Sequence, residues 1–190
     1  MASNAFTGHL ESLLEDAAHL FLASLQLPAG APGRRLRVAA LNRAIVGSCV
    51  SAWEAYLEQL MREALAVLRP PAPPLGVWPV LNASVRTQLG RFHTPNTDNV
   101  RTLISDCLGL QDIQTFWHWQ NCSSAQAVQR LAVAMNLRHQ IAHGVNPRPE
   151  VAISYARRLP EFFRRLGRCT DRAVRDYFVN FLGIANPWPP

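Results

Sequence analysis

The stretch SSAQAVQRLAVAMNLRHQIAHG, residues 123–144, decides the fold of this chain. Serine at its start is a preferred N-cap residue, and glycine at its end typically follows the last residue of a helix. Between them, apolar residues recur every three or four positions, which places them on one face of a helix. These residues are Val128, Leu131, Ala134, Met135, Ile141 and Ala142. We therefore predict a helix from Ser123 or Ser124 to His143 with one side packed into a core.

Arg138 interrupts this apolar face. A guanidinium keeps its proton when buried, so it must pair with an anion or face a wet cleft. Glu54 lies in a similar apolar stripe of an earlier helix, between Val50 and Leu57. The two side chains could form a bidentate ion pair across the bundle. The alternative is an arginine that snorkels at the edge of its stripe and a solvated glutamate.

Two histidines follow Arg138 on the same helix. His143 lies in the last turn, where unpaired carbonyls favour a cation, and a modest rise in the pKa of its imidazole would make it a proton donor near neutral pH. A capping role without chemistry is the alternative. His139 is four residues earlier and hence on nearly the same face. The two could bind a metal, but no HExxH glutamate and no third ligand accompany them, so we expect no metal site.

Apolar periodicity predicts further helices on both sides of this stretch, and no alternating strand pattern persists. The expected helices cover about 3–27, 37–68, 84–92, 96–108 and 153–182, the last one kinked or restarted at Pro160. The expected fold is an all-α bundle of four to five main helices. An irregular insertion of short helices and loops, residues 70–123, separates the second main helix from the fourth.

Composition limits the class of protein. The chain has 190 residues, of which 48% are hydrophobic and 17% charged, so a single globular domain over 1–190 is expected. Its core would span about 37–182, with helix 3–27 packed on it and a tail at 183–190. We find no signal peptide and no run of the roughly 20 apolar residues that spans a bilayer, so we expect a cytoplasmic protein without membrane contact. The four cysteines are scattered, which argues against a zinc site or a disulfide framework.

The basic side chains are uniform. All 19 are arginine, and the formal net charge is +6. A GC-rich genome explains the arginine bias most simply. The positive balance nevertheless indicates an anionic partner, because planar guanidinium groups suit phosphate and carboxylate.

Several segments together resemble one known family. Arg138-His139-Gln140-Ile141-Ala142-His143-Gly144 resembles the signature of HEPN domains, which is an arginine, an adjacent polar residue and a histidine four to six residues later at a helix end. Ala52-Trp53-Glu54-Ala55-Tyr56-Leu57-Glu58 resembles the tryptophan-glutamate-x-tyrosine helix of the RiboL-PSP-type HEPN subgroup. Segments 92–96 and 108–110, with the tryptophans at 117 and 119, resemble the middle of that subgroup. The resemblance spans roughly Leu41 to Gly144.

The resemblance implies an all-α bundle that forms homodimers. In catalytic HEPN proteins the two motifs face each other across the dimer cleft and form one metal-independent endoribonuclease site that needs no cofactor. Arg138 and His143 then occupy the catalytic positions, His139 the polar position, and Glu54 the acidic position that supports the arginine. The expected products are a 2′,3′-cyclic phosphate and a 5′-hydroxyl.

The resemblance also implies a toxin or antiphage effector, with a cognate antitoxin or defence-system protein as a partner. Toxin members of the family are often controlled by a nucleotidyltransferase antitoxin that modifies a tyrosine two residues after the motif histidine. Val145 stands at that position here, so this form of control is in doubt.

Two other functions are open at this point. One is a non-catalytic HEPN module that binds RNA or nucleotides and regulates another protein. The other is a helical DNA-binding protein, suggested by the basic last helix. Arg158, Arg165 and Arg168 of that helix are candidate RNA-binding residues. Trp117 could stack on bases, although such tryptophans are more often core or dimer-contact residues.

Overall fold

The computed structural model describes residues 1–72 and 76–188, and all regular secondary structure in that part of the chain is helical. Its helices are α1 (Glu11–Leu25), α2 (Arg34–Val67), α3 (Trp78–Gly90), α4 (Thr97–Leu108), α5 (Ser124–Ala142) and α6 (Ile153–Asn180). A π-helical segment, Ala5–Leu10, leads into α1, and a 3-10 turn, Ile113–Phe116, precedes α5. The predicted all-α class is confirmed. Residues 73–75 of the predicted insertion and 189–190 of the predicted tail lie outside the described residues.

The long helix α2 is the centre of the molecule. It packs against α1, α5 and α6, and Trp53 and Tyr56 in its middle are fully buried. The two rings stack with centroids 5.4 Å apart. The Trp53 indole Nε1 donates to the Pro95 carbonyl at 3.1 Å, and the Tyr56 hydroxyl donates to the Gly167 carbonyl at 3.0 Å. These two bonds tie α2 to the loop before α4 and to α6, which fixes the helix that carries Glu54.

Helix α5 begins and ends as its sequence predicts. Ser123 and Gln126 form a capping box, in which the Gln126 backbone N–H donates to the Ser123 hydroxyl at 3.3 Å and the Ser123 backbone N–H donates to the Gln126 side chain at 2.9 Å. At the other end Gly144 has φ 71°, and the Val145 N–H donates to the Gln140 carbonyl at 2.9 Å. This is a Schellman ending, which needs the left-handed glycine.

Three of the predicted helices have different extents in the structure. Helix α3 begins at Trp78 rather than at residue 84 and ends at Gly90, because Pro79 suits the first turn of a helix, where its missing N–H has no partner to lose. Helix α2 begins at Arg34, three residues earlier than predicted. Helix α6 continues without a break through Pro160, because the buried side chains around the proline hold the helix against the core.

No helix within residues 1–72 and 76–188 has both the length and the apolar character needed to span a bilayer.

Candidate functional site

The end of α5 brings three of the predicted site residues together. Arg138 is half-buried, whereas His139 and His143 are exposed. The two imidazole ring centroids lie 4.4 Å apart, with the ring planes inclined by 59°. His143 is the C-cap residue, and its backbone N–H donates to the His139 carbonyl at 3.1 Å. The helix ending therefore holds two imidazoles side by side and open to solvent, on the same last turns of α5 that carry Arg138.

Glu54 faces this region from α2, which packs against α5. Its side chain is half-buried, and burial raises the pKa of its carboxyl above the ordinary value. The positive charge of Arg138 opposes that rise, as does His93, while Glu58 adds to it. The charge of Arg138 therefore acts on Glu54 across the packing of α2 against α5.

The predicted direct contact between Glu54 and Arg138 is not formed. Within the described residues, Arg138 makes no ion pair with a carboxylate, and Glu54 accepts no hydrogen bond. Both side chains retain access to solvent, so neither needs a direct partner to satisfy its charge. Without a carboxylate partner among the described residues, the Arg138 guanidinium can bind an external anion.

His93 was given no role at the sequence level, but the structure adds it to this region. It is exposed on the loop between α3 and α4, and its charge lowers the pKa of Glu54. It also lines a cleft of about 960 Å³ between α2 and α3. Its sequence neighbourhood, 92–96, belongs to the HEPN resemblance, yet no spacing rule connects it with residues 54 or 138.

Trp117 does not reach solvent. It is fully buried, its indole Nε1 donates to the Thr170 hydroxyl at 2.9 Å, and its ring meets that of Trp53 edge to face. The prediction that Trp117 stacks on RNA bases is therefore wrong, and its alternative as a core residue is confirmed. The physical reason is that the ring fills the space between α2 and α6, where its polar atom also finds a partner.

The three candidate arginines of α6 have different surroundings. Arg165 donates to Glu161 at 2.7 Å, and the Arg168 guanidinium lies 5.7 Å from the centre of the Phe6 ring. Arg158 lines a small cavity of about 360 Å³ together with Arg130 of α5. The structure thus brings Arg158 next to α5, whereas Arg165 and Arg168 lie about 10 and 15 Å further along α6, by helical rise. Their RNA-binding role stays a prediction.

Among the described residues, no three side chains of histidine, cysteine, aspartate or glutamate are grouped as the ligands of a metal ion would be. His139 and His143 stand as a pair.

Comparison with known proteins adds no assignment. No family model, no curated protein and no solved structure matches this chain.

Proposed function

We propose that this chain is a HEPN-type, metal-independent endoribonuclease that cleaves RNA by attack of a 2′-hydroxyl, at a composite site made by two copies of the chain. The observation that carries the proposal is the end of α5. There the exposed His139 and His143 imidazoles lie 4.4 Å apart, beside the half-buried Arg138.

The chemistry needs few groups because RNA supplies its own nucleophile. The 2′-oxygen attacks the adjacent phosphorus, the bond from phosphorus to the 5′-oxygen breaks, and a 2′,3′-cyclic phosphate and a 5′-hydroxyl result. The proton of the 2′-hydroxyl passes to one neutral imidazole, and a second, protonated imidazole gives a proton to the leaving 5′-oxygen. Two copies of His143, one from each protomer, provide these two groups.

Arg138 and Glu54 have different parts in this scheme. The guanidinium of Arg138 neutralises the negative charge that accumulates on the phosphate oxygens in the transition state. Its freedom from a direct carboxylate partner supports this role. Glu54 acts through charge and holds the guanidinium on the α2 side of the site, so it is a positioning residue. His139, at the adjacent polar position, orients His143 or the phosphate.

The outer face of α5 supports assembly of two copies. At 100° per residue, Ala132, Asn136 and His143 project within about 40° of one another. The side chains at 132, 136 and 143 are all exposed, and the first two carry no charge. A second copy that packs along this face would bring its own motif to the same place.

The biological role belongs to the same proposal. We infer a cytoplasmic toxin or antiphage effector whose partners are RNA, a second copy of the chain and a cognate antitoxin or defence protein. Val145 is exposed directly after the helix ending and has no hydroxyl to receive a nucleotidyl group. We therefore do not expect an antitoxin to modify this position.

His143→Ala tests the proposal. In a nuclease-free preparation with EDTA, the wild-type protein is expected to cleave single-stranded RNA, and the variant to be slower by about 100-fold or more, because a general acid–base group contributes that much. His19→Ala, at an exposed position on α1, is the matched control and should retain full activity. Equal cleavage by wild-type and His143→Ala would contradict the nuclease site. RNA binding without cleavage by the wild type would favour the non-catalytic module.

A further inference from the structure

A second feature of the surface is a cleft lined by arginine side chains that are not part of the α5 end. The second half of α2 and the facing helix α3 enclose a cleft of about 960 Å³. Its charged and aromatic lining consists of Glu58, Arg62, Arg69, Trp78, Arg86 and His93. Arg62 lies on α2, and Arg69 follows two residues after that helix ends at Val67. The cleft has a basic wall on each helix and an indole at one end of α3.

The charges in this cleft are unbalanced. Arg62 donates to Glu58 at 2.8 Å. Within residues 1–72 and 76–188, the side chains of Arg69 and Arg86 form no ion pair and no hydrogen bond. Three guanidinium groups therefore face one carboxylate. Guanidinium groups recognise phosphate oxygens through paired N–H donors, so the missing partner of this cleft is a phosphate-bearing chain.

The cleft begins at Glu58, one helical turn from Glu54 on α2, the helix that packs against α5. His93 lines it and also acts on the charge of Glu54, the residue whose pKa Arg138 lowers. Glu54 and Glu58 are one turn apart on α2. From Glu54 to its last residue, Val67, α2 rises about 20 Å, a length that matches several nucleotides of a single strand.

We propose that this cleft binds a single-stranded RNA segment that flanks the cleaved linkage. Arg62, Arg69 and Arg86 hold its phosphates, and the half-buried indole of Trp78 contacts an unpaired base. Single strands fit better than duplexes, because their unstacked bases can meet an aromatic ring and arginine planes inside a cleft. The inference rests on the proposed function for its choice of RNA, but binding can be measured without cleavage.

The test is a pair of matched double variants, Arg69→Ala/Arg86→Ala in the cleft and Arg35→Ala/Arg37→Ala at the start of α2. All four side chains are exposed, so both variants should fold, which circular dichroism checks. Both lower the net charge by two. By helical rise, Arg37 lies about 45 Å from Val67, the last residue of α2 and two residues before Arg69.

The probe is a fluorescein-labelled 2′-O-methyl RNA 12-mer, which cannot undergo 2′-hydroxyl attack, and the readout is fluorescence anisotropy. At 0.1 M salt the cleft variant is expected to bind about 25-fold more weakly than the wild type, and the slope of log affinity against log salt should fall by about 1.4, for two lost phosphate contacts. The control variant should stay close to the wild type. Equal weakening of RNA binding in the two variants, or no weakening in either, would contradict the proposal that this cleft binds RNA.

Glu58→Gln gives a result of opposite sign. Removal of the only carboxylate among the charged lining residues frees Arg62 and should tighten binding of the same 12-mer by about two- to five-fold. Unchanged or weaker binding would contradict the proposal. An RNA duplex of the same sequence that competes as well as the single strand would also contradict it.

The two proposals fail separately. If the cleft variant loses the 12-mer while the wild type never cleaves natural RNA, the cleft is upheld and the nuclease is refuted. If His143 is required for cleavage while the cleft variant binds normally, the nuclease is upheld and the cleft is refuted.

Discussion

At the scale of single residues, the pKa of Glu54 depends on the balance between its burial and the positive charges around it. Burial raises it, and Arg138 and His93 oppose the rise from two different elements. A carboxyl in this position reports on whichever cation remains next to it. The site can therefore be probed through Glu54 without any substrate.

Arg138→Gln should raise the pKa of Glu54 further. It removes the positive charge that lowers this pKa most, while the burial of Glu54 stays the same. Titration of 13C-labelled glutamate carboxyls by NMR measures the shift. Arg101→Gln, at an exposed position on α4, should leave the Glu54 titration unchanged. A Glu54 pKa that falls or stays constant in Arg138→Gln would show that the two side chains are not neighbours.

At the scale of helices, α5 owes its position to residues just outside it. Its capping box and its glycine ending set both termini, and the glycine ending directs His143 toward solvent. A change in the last residue of this ending therefore acts on the fold and on the site together.

Gly144→Ala should lower the free energy of unfolding by about 1–2 kcal/mol, since Gly144 has φ 71° and a side chain is strained in the left-handed region. Gly47→Ala, in the middle of α2 with nothing within 4 Å of the added carbon, is a control of opposite sign and should raise it by about 0.5–1 kcal/mol. Urea denaturation of both variants measures the two changes. Equal effects of the same sign would contradict the assigned helix ending.

The same local signals explain what the sequence could predict. Asn96 caps α4 by accepting from the Asn99 N–H at 2.8 Å, and Gly109 ends it with φ 80°, so both boundaries were visible as residue types. The start of α3 was missed because its periodic apolar residues begin after its N-terminal proline. The continuous α6 was missed because tertiary packing, and not local preference, decides what a helix does at Pro160.

The candidate site, too, could be predicted from the sequence only where its geometry lies within one helix. Spacing alone places His139 and His143 on one face, because that geometry is internal to a helix. The role of His93, the missing Glu54–Arg138 contact and the burial of Trp117 depend on how separate helices pack. No single segment contains that information.

At the scale of the whole molecule, an aspartate joins the start of the chain to its last helix. The buried carboxylate of Asp171 accepts from the Ser3 backbone N–H at 3.2 Å and from the Ser3 hydroxyl. Burial raises the pKa of Asp171 above its ordinary value of 3.8, although the bonds from Ser3 oppose the rise. Folding therefore favours the protonated form of Asp171 relative to the unfolded chain.

This shift predicts a pH dependence of stability. A carboxyl whose pKa is raised by folding contributes stability below its unfolded pKa, and that contribution is lost as the pH rises through the folded pKa. The free energy of unfolding of the wild type, minus that of Asp171→Asn, should therefore fall as the pH rises from about 3.8 upward. Urea denaturation across this range measures it. A difference that rises with pH would contradict the assigned direction.

Assembly is the other property of the whole molecule. Ala132→Arg adds a charge to the uncharged outer face of α5 and should convert a dimer of about 42 kDa, twice the 21.2 kDa chain, to a monomer and reduce RNA cleavage at least ten-fold. Ala40→Arg, exposed on α2, is the matched control and should remain dimeric and active. Light scattering after size exclusion measures the mass. Active monomers would refute the composite site.

The cleft between α2 and α3 owes its positive charge chiefly to guanidinium groups. Such groups remain protonated throughout the range in which cells live, and they offer no amine to acetyltransferases or to acylating reagents. The attraction of this surface for a nucleic acid strand should thus be indifferent to lysine-directed regulation. Ionic strength does adjust it, which would make RNA binding sensitive to osmotic and salt stress.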